Sequence, residues 1–175
     1  MGIGVAGLMA TASSPASAAS PSNCIRPDST FGLSAKAKCL RPAEQSAVQM
    51  RLLQTDLMVA ALSCHRKPDY NTFAVKYRDE LVRGGRALRA LFDRVHGKSA
   101  RTELNSYITR LANTASMQSL NGNDYCGRMG KLFDGVLAVS PTGFAEFVAR
   151  FSATGDVELA KRGAQQSERA ELTDK

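Results

Sequence analysis

Between Leu53 and Cys64 the apolar side chains Leu53, Leu57, Met58, Val59 and Leu62 point to nearly every side of a helix, the pattern of a rod enclosed by others. Pro42 suits the first helical position, because its missing amide has no partner to lose there, so this helix is expected from Pro42 to about Cys64. Gln54, Thr55 and Asp56 interrupt its apolar surface. An unpaired buried polar group costs about 1–3 kcal/mol, so they need partners. For Asp56 an Arg or Tyr of a neighbouring helix is expected, in preference to a functional carboxylate role.

Lys67-Pro68-Asp69 reads as a turn, with Asn71 or Thr72 capping a second helix. In that helix Phe73, Tyr77, Leu81, Leu88, Phe92 and Val95 recur at helical spacing until Gly97 stops it. Gly84 falls within the stripe. A helical glycine costs about 1 kcal/mol relative to alanine, so a neighbouring helix or a bulky ring is expected close to it. Ser99 should cap a third helix carrying Leu104, Tyr107, Ile108, Leu111 and Ala115, ended by the segment from Leu120 to Asn123. A fourth carries Cys126, Met129, Leu132, Phe133, Val136 and Leu137 on one side. Ser140-Pro141 opens a short fifth helix whose Phe144, Phe147, Val148 and Phe151 clamp onto the rest.

The flanks read differently. Residues 1–18 combine an uncharged apolar run, Gly2 to Ala10, with Ala16-Ser17-Ala18, the small-x-small pattern of a signal peptide cut after Ala18, although no Lys or Arg precedes the run. That run is far shorter than the roughly 20 residues of a membrane span, and no transmembrane segment is expected elsewhere. Residues 19–42, with Pro21, Pro27, Gly32 and Pro42, are expected as a loop closed by a disulfide, residues 43–152 as the helical domain, and residues 153–175 as a polar, disordered tail.

At 175 residues, 43% apolar and 22% charged, the chain suits one globular domain. Short connections between consecutive helices favour an all-α, up-and-down four-helix bundle with the short fifth helix added. That order decides how the cysteines pair. No Cys-x-x-Cys is present, so zinc-ribbon and thioredoxin-type sites lack their spacing. Cys64 ends the first helix and Cys126 opens the fourth, at the same end of such a bundle, while Cys24 and Cys39 lie at the other. The expected bonds are Cys24–Cys39 and Cys64–Cys126, in a periplasmic or secreted protein.

The run Leu53-Gln54-Thr55-x-Leu57-Met58-Val59-Ala60-Ala61-Leu62-x-Cys64, followed by Tyr70-Asn71-x-Phe73, Leu111-Ala112-Asn113 and Cys126, resembles a group of small exported helical proteins of alphaproteobacteria. The resemblance covers about residues 45–140 and implies an exported helical domain with paired cysteines. It brings no activity, cofactor or site residue with it.

Chemistry is sparse. His65 and His96 are the only histidines, each at a helix end, and no Ser-His-Asp or Cys-His arrangement can be assembled around them. Ala61-Leu62-Ser63-Cys64-His65 has Ala61 where covalent haem attachment needs a first cysteine. No cofactor or metal is expected. Charge is more informative: of a net +7, the stretch from Arg66 to Arg101 holds ten basic and four acidic residues. On the second helix Arg78, Arg86 and Arg89 fall away from the apolar stripe, a basic face suited to anionic lipid, polysaccharide or an acidic protein. Nucleic acid is disfavoured, since no aromatic residues interleave these arginines. The functional expectation is an exported, non-enzymatic envelope protein that binds a partner or anionic surface. The alternative is an enzyme whose loop-built site lies near Asp56, His65 or His96.

Overall fold

Pro42 occupies the first position of α1 (Pro42–Ser63) in the computed structural model, which describes residues 24–27, 31–121 and 123–150. The expected leader over 1–18 and tail over 153–175 lie outside those residues, as does Phe151. Regular structure among the described residues is all helical, with no strand: α1 is followed by α2 (Lys67–Lys76), α3 (Arg78–His96), α4 (Ala100–Asn121), α5 (Tyr125–Ala138) and α6 (Phe144–Arg150). Short 3₁₀ turns, Gly97–Ser99 and Pro141–Gly143, lead into α4 and α6.

All five other helices pack against α1, and α3 and α4 also pack on each other. Val48, Leu53, Leu57 and Ala60 are fully buried. A buried Leu or Val contributes about 1.5–3 kcal/mol over an exposed one, so α1 is held by its neighbours and not by its own propensity. The enclosure is incomplete, however: Met58 is 37% and Leu62 59% exposed, against the expectation of a helix covered on every side. Gly84 does mark a close approach, since a Cβ there would meet Met50 Sδ of α1 at 2.5 Å.

Both ends of α1 are pinned. At its start the buried Glu44 accepts hydrogen bonds from the Arg41 amide (2.8 Å) and from Arg94 Nε (2.9 Å) and Nη2 (2.6 Å), while Arg94 Nη2 also donates to the Cys39 carbonyl (3.1 Å). Cys39 is bonded to Cys24, and Ile25 and Leu40 exchange backbone hydrogen bonds of 2.9 and 2.8 Å beside it. At its other end Cys64 is bonded to Cys126, Cα to Cα 5.5 Å. His65 adopts left-handed φ of +58°, and the Arg66 amide reaches back to the Ala61 carbonyl (3.0 Å), the closing bond of a Schellman cap. Arg66 then crosses to α5, where it meets Asp134 (3.1 Å) and lies over the Phe133 ring (5.4 Å), while also holding Asp69 (2.5 Å). A Cβ on Gly130 would sit 2.7 Å from Arg66 Nη1, so that glycine gives the guanidinium its room.

The expected second helix is two helices. Lys67-Pro68-Asp69 forms the first turn of α2, with Pro68 tolerated there for want of a required amide, so Asn71 and Thr72 are not caps. Thr72 Oγ1 instead donates to the Pro68 carbonyl within the helix (3.1 Å). The break comes at Tyr77, which is fully buried and stacked on Phe144 (4.0 Å, 17°). Its hydroxyl lies 2.5 Å from both the Val136 and the Val139 carbonyl, and Lys76 Nζ donates to Leu137 (2.6 Å). The α2–α3 junction thus donates to carbonyls at the end of α5: Lys76 to Leu137, and the single Tyr77 proton to Val136 or Val139, of which Val136 also accepts from the Val139 amide (3.3 Å). Downstream, Gly97 (φ +55°) ends α3, and Ser140 accepts from the Gly143 amide (3.3 Å) as expected of a cap. Ser99 is not a cap by its side chain, whose hydroxyl donates to His96 (3.1 Å).

Tyr77→Phe keeps the ring and removes the hydroxyl that donates at the end of α5, so urea unfolding should show a loss of about 1–3 kcal/mol. Replacing Cys64 and Cys126 together by Ala should cost about 4 kcal/mol, and Cys24 with Cys39 about 3 kcal/mol, because the longer loop loses more chain entropy on closure.

Candidate functional site

Packing of the apolar side of α3 against α1 and α4 turns its other side outward, and Arg78, Arg86 and Arg89 are all exposed there. At 100° per residue these three and the exposed Val82 fall within an arc of about 80°. Asp93 shares that face toward the end of α3. Of the basic residues between Arg66 and Arg101, Arg66, Arg83 and Arg94 are ion-paired, whereas Arg78, Arg86 and Arg89 have no carboxylate within pairing distance among the described residues.

Near Arg89 lies Arg51 of α1, which sequence reasoning missed. Its guanidinium is partly buried, with no carboxylate in reach among the described residues. Burial lowers its pKa, the tyrosines Tyr70 and Tyr107 work against that, and the positive charge of Arg89 adds to the lowering. An arginine stays protonated regardless, so Arg51 and Arg89 form a like-charged pair that an anion would relieve. The signal available in the sequence was a lone cation inside a largely apolar helix. Basic character continues onto α4, where Arg101 and Arg110 stand at the two ends of a shallow polar depression of about 690 Å³ lined by Thr102, Asn105, Ser106 and Thr109.

A second polar feature lies within the fold. Asp56 has no hydrogen-bond or ion-pair partner among the described residues, contrary to the expected Arg or Tyr, and burial pushes its carboxyl up to about 7. Tyr125, at the start of α5, has its buried hydroxyl without a partner, and burial together with the charge of Asp56 raises it to about 12. The two groups therefore feel each other without being bonded. Thr55 takes no partner from another helix either, its hydroxyl donating to the Arg51 carbonyl of its own (2.8 Å).

The histidines are apart from both features. His65 is exposed at the cap of α1, and His96 is stacked on Phe92 (5.4 Å) near Ser34. Cys64 carries its disulfide, which leaves no thiol there for haem attachment. Among the described residues no three His, Cys, Asp or Glu side chains gather to hold a metal, and no single helix is long and apolar enough to cross a membrane. No family model, curated protein or solved structure matches the chain.

Two carboxylates on α1 give stability opposite slopes with pH. Burial pushes Glu44 up, but Arg94 and the Arg41 amide outweigh it and hold its carboxyl below the usual value, so its contribution is complete above about pH 4.5 and lost on acidification. Asp56 is raised from 3.8 to about 7, so the native state binds the extra proton in that window and stability falls as pH rises through it, by at most about 4 kcal/mol. Urea midpoints should peak near pH 4–5. Asp56→Asn should remove the decline between pH 4 and 7 and leave the acid limb in place.

Proposed function

We propose that this chain is an exported, non-enzymatic protein of the cell envelope that binds an anionic surface through α3. The observation that carries the reading is the set of exposed arginines Arg78, Arg86 and Arg89, unpaired among the described residues, with Arg89 close enough to a partly buried Arg51 to repel it. The three exposed arginines share one helix face around Val82, an arrangement that suits a layer of anionic headgroups. Two disulfides with no free cysteine among the described residues are compatible with an oxidising compartment, and the leader-like residues 1–18 support export. An up-and-down order, with α2 and α3 as one broken rod, is part of the same reading. It is supported by the Cys64–Cys126 bond and by the contact of Ser63 with Ser119 (3.3 Å), which bring the ends of α1 and α4 together. The second reading, an enzyme, draws on Asp56, whose carboxyl near 7 is in the range of a general acid or base.

Mature protein should co-sediment with vesicles containing anionic lipid and not with neutral ones, with affinity falling steeply from about 0.05 to 0.5 M salt. Arg78→Gln, Arg86→Gln and Arg89→Gln together should weaken binding about a hundredfold, at about 1 kcal/mol per cation near the surface. Salt-independent binding, or none, would remove this reading. Asp56→Asn should leave vesicle binding unchanged.

A further inference from the structure

Described residues of the disulfide-closed segment ahead of α1 line an open depression of their own, about 370 Å³, within the range of roughly 300–1,000 Å³ typical of small-molecule sites. Pro27, Leu33 and Ala37 give it apolar walls, Ser34 a hydroxyl, and Arg26 and Lys38 two cations. Covalent closure sets the cations' positions. Arg26 lies two residues after Cys24 and Lys38 directly before Cys39, and the paired backbones of Ile25 and Leu40 hold the same junction. Neither cation has a carboxylate in reach among the described residues.

Ser34 is anchored from below. Its Oγ lies 3.3 Å from His96 Nε2, and that ring is stacked on Phe92 of α3. Nδ1 of the same ring is buried with no partner among the described residues. A buried N–H left unpaired costs more than a lone pair left unpaired, so the ring proton belongs on Nε2, where it is donated to Ser34. The serine then accepts from the histidine and keeps its own proton free to donate into the depression.

The geometry points to a binding site for a small apolar monocarboxylate. Its carboxylate is held by Arg26, Lys38 and the Ser34 hydroxyl, and its hydrocarbon part lies against Leu33, Pro27 and Ala37. A compact, strongly hydrated anion such as phosphate would leave the apolar walls unused, and an uncharged ligand would leave the cations unanswered. The carboxylate has two possible sources, a free short-chain acid or the C-terminal residue of a peptide, and the site is independent of the α3 face.

Calorimetric titration of the full, disulfide-bonded chain tests it with hexanoate, hexan-1-ol, and a tetrapeptide ending in Leu with a free or amidated terminus. Saturable binding of hexanoate is expected, with hexan-1-ol about tenfold weaker and Arg26→Gln with Lys38→Gln weakening hexanoate about tenfold. Ala35→Trp, which fills the depression from an exposed lining position, should abolish it while circular dichroism and the absence of free thiols show the variant folded. A peptide that outbinds hexanoate and needs its free terminus identifies the peptide source, and the reverse order the free acid. No saturable binding of either carboxylate, or binding untouched by the paired Gln substitutions, would overturn the assignment.

Discussion

A helix that is apolar over most of its circumference is unstable in water, and the fold follows from that constraint on α1. Five helices pack against it. No two-layer arrangement would cover Val48, Leu53, Leu57 and Val59 at once, because they point in different directions around the axis. Burial alone is non-directional and would let α1 slide or rotate among its neighbours. The directional contacts stand at its two ends. Glu44 and Arg94 form a two-pronged ion pair at one end, and at the other the Cys64–Cys126 bond lies beside the crossing of Arg66 over Gly130.

The junction at Tyr77 has the same logic applied to backbone polarity. The last carbonyls of a helix lack an amide one turn on to bond, and leaving them unsatisfied where they are part-buried is costly. At the break between α2 and α3 the Tyr77 hydroxyl lies within reach of the Val136 and Val139 carbonyls, donating to one at a time, and the Lys76 ammonium donates to Leu137. Tyr77 at the same time stacks on Phe144, which ties α6 to the junction.

Glu44 and Asp56 sit on one helix and meet opposite fates. Glu44 has its charge stabilised because guanidinium and amide donors surround it. Asp56 has no donor among the described residues, so desolvation acts on it unopposed. The presence or absence of donors decides whether desolvation of a carboxylate is offset.

What the residues determined by themselves was whatever depends on near neighbours in the chain: helical periodicity, Pro42 and Ser140 as starts, Gly97 as a stop, and an arginine-rich side on α3. Helix order also brought the right cysteines to the same ends. The helix break at Tyr77 was illegible because the groups its hydroxyl meets, carbonyls at the end of α5, lie about sixty residues away. The desolvated Arg51 and the unpartnered Asp56 were illegible for a related reason, since whether a polar group finds a partner depends on side chains from other helices. The exposure of Met58 and Leu62 likewise depends on how closely the neighbours cover α1. Periodicity and capping are local and can be read along one dimension. Satisfaction of charge and hydrogen bonds is a property of three-dimensional proximity, and only the tertiary structure decided it.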